Sequence, residues 1–139
     1  MSDLRLQQLQ QWAEQALQQP IRIQAVSGDA SFRRYFRVST DSQVWIAMDA
    51  PPEKEDSKPF VDIAQHLEAK LVHVPHIQAL DLEQGFMLLE DLGDVQMLDK
   101  LCTDGKPNPV MAEQHYGDAL RALLHIQTHV DGSQLPPYD

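Results

Sequence analysis

Apolar residues recur near a helical period from Leu4 onward: Leu4, Leu6, Leu9, Trp12, Ala13, Ala16 and Leu17 form one stripe. The spacing predicts a helix over residues 3–19, capped by Ser2 or Asp3 and ended by Pro20. The glutamines between favour helix and remain in water. The pattern then shortens. Residues 21–26, 32–39 and 44–48 read as three consecutive strands, with Asp41-Ser42 turning the second into the third. Strands joined this closely form a meander, so the sheet begins antiparallel. Pro51-Pro52 breaks the third strand and opens an acidic loop from Glu53 to Asp56.

A helix is predicted to start at Ser57, with Pro59 in its first turn and Phe60, Ile63, Ala64, Leu67 and Leu71 on its buried face. Residues 76–82 and 86–89 read as two further strands. They turn at Glu83-Gln84-Gly85, where Gly85 can take a left-handed conformation. Glu90-Asp91-Leu92-Gly93-Asp94 is a polar linker. A short helix over 95–101, a loop over 104–109, a long helix over 110–130 and a turn-rich segment over 132–137 complete the chain. No internal repeat is visible. The order implies an α+β lobe with five strands and an inserted helix over 1–92, then helices over 93–139. On the long helix, Met111, Ala119, Ala122, Leu123, Ile126 and Val130 form a stripe that Tyr116, Leu120 and Leu124 widen. That breadth predicts an apolar face needing cover on more than one side.

The 139 residues are 42% hydrophobic and 23% charged, which suits a globular domain and not a disordered chain. No apolar run is long enough for a membrane span, and the N-terminus lacks the order of a secretory signal. Cys102 is the single cysteine, so no intrachain disulfide forms, which fits a cytoplasmic setting. A net charge of −10 weighs against nucleic acid as a partner. An arginine cluster inside an acidic protein suits one small anion instead.

That cluster lies in Ser27-Gly28-Asp29-Ala30-Ser31-Phe32-Arg33-Arg34-Tyr35-Phe36-Arg37-Val38. A small-residue turn there offers backbone N–H groups, with Gly28 permitting close approach and Ser31 adding a hydroxyl. A strand, a polar turn and an arginine-bearing strand suit nucleotide phosphates. An ordinary hairpin with a solvated cationic face is the plainer alternative. Strict alternation groups Arg34 with Phe36 and Val38, and Arg33 with Tyr35 and Arg37, and leaves open which group faces a ligand.

Taken with Met48-Asp49-Ala50-Pro51-Pro52-Glu53 and Leu88-Leu89-Glu90-Asp91-Leu92-Gly93-Asp94, the same stretch resembles the aminoglycoside phosphotransferase-like kinases. The nearest resemblance is to the bacterial members that phosphorylate the anomeric hydroxyl of N-acetylmuramate and N-acetylglucosamine. It runs from Leu4 to Asp139. It implies a protein-kinase-like fold with a five-stranded N-terminal lobe, followed here by the first helices of a truncated helical C-terminal lobe. It implies ATP and Mg²⁺ as cofactors and an amino sugar bound through the missing lobe. Gly28, Asp29, Ala30 and Ser31 match the phosphate-covering loop. Glu90, Asp91 and Leu92 match the linker whose backbone meets the adenine edge. Arg33 and Arg34 are the candidate phosphate contacts.

Two departures stand out. Met48 and Asp49 lie where such kinases carry a third-strand lysine, and Phe60 lies near its expected glutamate partner. His129-Val130-Asp131 opens like the catalytic run, but Pro136 stands where its Asn belongs, so Asp131-Gly132 reads as a helix stop. No catalytic residue and no metal ligand are therefore assigned within this chain, which is expected to be inactive by itself. His125 and His129 share a helix face, but no glutamate follows His125 and no cysteine is near, which disfavours a zinc site. The pairs Asp91 with Asp94 and Glu53 with Asp56 read as exposed turn or cap residues. Cys102 reads as a small packed residue. A catalytically silent nucleotide- or partner-binding α+β module is the alternative to a kinase fragment.

Overall fold

The computed structural model describes residues 3–26 and 31–135. The chain divides into two units, Met1–Ala64 with Pro75–Asp91, and Gln65–Val74 with Leu92–Asp139.

The first unit begins with α1 (Leu4–Leu17). Asp3 is its N-cap, accepting from the Leu6 N–H at 3.1 Å, and Gln18 ends it in the left-handed conformation. Five strands follow: β1 (Arg22–Ala25), β2 (Arg34–Ser39), β3 (Val44–Asp49), β4 (Ile77–Asp81) and β5 (Phe86–Glu90). They form one sheet in the order β1-β2-β3-β5-β4, with every pairing antiparallel. The α2 helix (Lys58–Ala69) is inserted between β3 and β4. The mixed α+β class and the five-stranded antiparallel sheet are those the sequence implied.

The period-2 pattern gives the sheet two apolar faces. Phe36, Val38, Trp45, Ala47, Phe86 and Leu88 turn to one side, where Leu9 and Ala13 of α1 close over them. Met48, Met87 and Leu89 turn to the other, with Ala50 and with Val61 of α2. Tyr35 and Ile46 are half-buried on that second face.

Gly85 is required where it stands. Its φ is +75°, its carbonyl accepts from the Ala50 N–H at 2.8 Å, and an added Cβ would lie 1.9 Å from the Ala50 oxygen. The β4–β5 turn is thus pressed against the chain leaving β3, a closeness only glycine allows.

The second unit holds α3 (Met97–Lys100), a small hairpin of β6 (Cys102–Thr103) and β7 (Lys106–Pro107), and α4 (Pro109–His129). The hairpin replaces the loop expected over 104–109. Asp104 and Gly105 both have positive φ, 51° and 72°, as the tightest hairpin turn demands. Asn108 caps α4 by accepting from the Val110 and Met111 N–H groups, with Pro109 in the first turn. His125 Nε2 lies 2.7 Å from the Lys70 carbonyl oxygen, within the same unit. No described residue of α4 is buried. Val110, Tyr116, Leu120, Leu123 and Leu124 are exposed, whereas Met111, Ile126 and Val130 of the expected stripe are half-buried, so the exposed apolar surface lies mainly on the flank of that stripe. Asp131 caps the short turn Gly132–Gln134, accepting from the Ser133 N–H at 2.9 Å and its hydroxyl at 2.7 Å. That employment agrees with its reading as a helix stop.

Candidate functional site

β2 sorts its arginines by face. Arg34 shares the α1 face with Phe36 and Val38. Its Nε and Nη2 donate to Asp49 Oδ2 at 3.0 and 2.6 Å, and its Nη1 donates to Asp3. Arg5 of α1 donates from Nε and Nη2 to Asp49 Oδ1 at 2.9 and 2.5 Å. The Asp49 side chain has no solvent exposure, while Arg5 and Arg34 remain 30% and 39% exposed. A buried carboxylate is thereby neutralised from both sides, as burial demands. Hydrogen bonding to Asp3, then to Asp49, raises the Arg34 pKa above its ordinary value. The Arg34 hydrogen bond, with the Leu6 N–H, holds Asp3 below the usual carboxylate range.

Arg33 points the other way. Its Nε donates to Glu55 Oε2 at 3.1 Å, and its guanidinium lies 5.9 Å from the Phe60 ring centre of α2. Its backbone N–H donates to the Ser31 hydroxyl at 3.2 Å, fixing a tight bend ahead of β2. Lys54 Nζ sits 4.9 Å from the Phe32 ring centre. The loop after β3 and the segment 31–33 are thus joined twice.

Arg37 lies at the far end of β2. It grips Asp91 through Nε to Oδ2 at 2.7 Å and Nη2 to Oδ1 at 3.3 Å. This fork geometry is the strong form of an arginine–carboxylate pair. The Asp91 side chain is only 11% exposed. It is therefore not the exposed turn residue expected from sequence: a cation 54 positions earlier draws it inward. Glu90 pairs with Trp45 in register, and its N–H donates to the His76 carbonyl at 2.8 Å.

The α1 face is filled by its own core. The opposite face has its own core of Met48, Ala50, Val61, Met87 and Leu89, with Tyr35 and Ile46 half-buried against it; Arg33 lies beyond Tyr35 at one end, and Arg37, in register with Ile46, holds Asp91 at the other. Of the residues singled out from sequence, the structure brings Ser31 and Arg33 together at one end of β2 and Glu90 and Asp91 together at the end of β5. Arg34 is on the reverse side of the sheet. Leu92 opens the second unit and is exposed. Gly28, Asp29 and Ala30 lie outside the described residues. Sequence reasoning passed over Glu55, Arg5 and the partner of Asp91, because nothing local announces an ion pair across such separations.

Among the described residues, no three His, Cys, Asp or Glu side chains are grouped to hold a metal ion. The His125 and His129 rings are stacked with centres 4.3 Å apart. Cys102 is a half-buried free thiol beginning β6. Among the described residues, no helix is long and apolar enough to cross a membrane.

Residues 22–137 match the model of the phosphotransferase enzyme family, and the chain belongs to that family. The N-acetylmuramate/N-acetylglucosamine kinase of Pseudomonas putida is 41% identical over 148 aligned residues, covering 99% of this chain and 42% of the relative. That of Pseudomonas aeruginosa is 40% identical with the same coverage. That of Neisseria meningitidis is 30% identical over 114 residues, covering 81% of this chain and 33% of the relative. The chain thus spans about two-fifths of the length of its Pseudomonas relatives, 42% in each.

Proposed function

We propose that residues 1–92 form the nucleotide-binding lobe of an ATP-dependent kinase acting on the anomeric hydroxyl of N-acetylated amino sugars, and that 93–139 begin its second lobe. The observation that carries this reading is the sheet face opposite α1, where Arg33 and the Arg37–Asp91 pair flank Tyr35 and Ile46. A half-buried apolar pair with a cation at one end and a fixed linker at the other suits a planar base and its phosphates.

In this reading Tyr35 and Ile46 bear the base, and the backbone of Glu90, Asp91 and Leu92 meets its edge. Gly28, Asp29, Ala30 and Ser31 cover the phosphates, and the Arg33 guanidinium contacts their oxygens in place of Glu55. Arg34, facing α1, holds the sheet to its covering helix. Mg²⁺ would neutralise the phosphate charge, and its ligands belong outside this chain. The work of the residues here is binding and orientation, not proton transfer.

Titrating the 139-residue chain with ATP tests the lobe assignment, and saturable binding is expected. The chain alone is expected to phosphorylate no sugar. A protein of the relatives' full length is expected to turn over N-acetylmuramate or N-acetylglucosamine with ATP. Turnover of an aminoglycoside in their place would overturn the substrate assignment.

A further inference from the structure

We propose that Lys54 supplies the ammonium group that meets the nucleotide phosphates, a task for which the third strand holds no lysine. This rests on the nucleotide-site reading above.

The end of β3 excludes a lysine by its surroundings. Met48 is fully buried among Ala50, Val61, Met87 and Leu89, none of which could balance a charge. A cation there would be buried without a counter-charge. Asp49 faces the reverse side and is already matched by Arg5 and Arg34. An ammonium group that joins Arg33 at the phosphates therefore comes from a segment other than β3.

The cations of the first unit are largely committed. Arg5, Arg22, Arg33, Arg34, Arg37 and Lys58 each meet a carboxylate oxygen at ion-pair distance. Lys54 has no carboxylate partner among the described residues; its ammonium instead lies over the face of Phe32. The position is specific. Phe32 directly precedes Arg33, and Lys54 directly precedes Glu55, so the Arg33–Glu55 pair and the Lys54–Phe32 contact run side by side. They hold the ammonium against the same segment that carries Ser31 and Arg33.

The chemistry fits the placement. An exposed ring attracts a cation weakly, so the ammonium can exchange the ring face for a phosphate oxygen at little cost. Phe32 is 60% exposed and does not enclose it. A lysine on a flexible four-carbon stem is a mobile point charge, able to follow a phosphate where a forked guanidinium already paired with Glu55 is less free.

The test uses the 139-residue chain and its Lys54→Met and Lys54→Arg variants. Calorimetry would measure affinity for ATP, inorganic tripolyphosphate and adenosine. Lys54→Met should weaken ATP and tripolyphosphate roughly tenfold and leave adenosine within about twofold, while Lys54→Arg retains most of the ATP affinity. Amine acylation read by mass spectrometry gives a second measure. ATP should shield Lys54 more than Lys58, and adenosine should not. Wild-type ATP affinity in Lys54→Met, with no shielding of Lys54, would overturn the inference and leave the nucleotide lobe standing. Failure of the wild-type chain to bind ATP would remove both.

Discussion

Replacing Asp49 with alanine should cost about 2–3 kcal/mol of folding stability. The carboxylate receives four charge-assisted hydrogen bonds, two from Arg5 at 2.9 and 2.5 Å and two from Arg34 at 3.0 and 2.6 Å. Breaking a buried ion pair by removing one partner usually costs about 3–5 kcal/mol, because the other charge is left buried and unmatched. Here the guanidiniums are 30% and 39% exposed and can recover some hydration, which pulls the figure down. Urea unfolding followed by tryptophan fluorescence reads the effect, since Trp12 and Trp45 both belong to the α1-side core. With a slope of about 1–3 kcal/mol per molar, the midpoint should fall by about 0.7–3 M. The cycle of Arg5→Ala, Asp49→Ala and the double variant should show coupling above about 1 kcal/mol. A loss under about 0.5 kcal/mol with no coupling would refute the account and mean that the carboxylate is hydrated, not enclosed.

Arg33→Ala should weaken ATP by about 1–2 kcal/mol more than adenosine, whereas Arg34→Ala should lower the unfolding midpoint and weaken both ligands equally; the reverse assignment would mean that the α1 face carries the phosphate. Gly85→Ala should cost about 3 kcal/mol, combining left-handed strain with collision against the Ala50 carbonyl, and a loss under about 1 kcal/mol would show that the turn relaxes freely. Because the folded-state pKa of Asp3 is depressed, its contribution is present above the unfolded value and is lost as pH falls through the folded one. The urea midpoint should therefore drop on acidification below about pH 4 and drop less in Asp3→Asn; an identical drop would assign the acid sensitivity elsewhere. The 139-residue chain should bind an apolar dye through α4, and Leu120→Glu with Leu124→Glu should abolish most of that signal. Undiminished dye binding in the double variant would place the apolar surface on another element.

The strands and α1 were legible because burial writes itself into period, whereas on α2 the expected face was displaced: Val61 is buried, and Ile63, with Leu71 past the helix end, is exposed. The stripe from Leu4 to Leu17 and the alternation of Tyr35, Phe36, Arg37 and Val38 are direct imprints of a helix on a sheet and of a sheet with two faces. Gly85 was legible for a steric reason, which the 1.9 Å approach to Ala50 makes concrete. The β6–β7 hairpin was missed although Asp104-Gly105 is a strong turn signal, because strands of two residues carry no alternation to flank it. The site was only half legible. Alternation separated Arg33 from Arg34 but could not say which face α1 would cover. That depended on Leu9 and Ala13 meeting Phe36 and Val38 across the chain. Ion pairs such as Arg5–Asp49, 44 residues apart, leave no local trace at all.

The two-sided burial of β3 bears on how the strand finds its alignment. A sheet with one wet face rejects a one-residue slip, because the slip would turn apolar side chains to water. β3 is less protected by that rule: Trp45 and Ala47 lie in one apolar layer and Met48 in another, so a slip would keep its apolar side chains out of water. The carboxylate at its end breaks the tie. Shifted by one position, Asp49 would enter the layer of Met87 and Leu89, away from both arginines. The strand is thus indexed by charge and not by hydrophobicity. Because Arg5 belongs to α1 and Arg34 to β2, the same carboxylate ties strand register to helix docking.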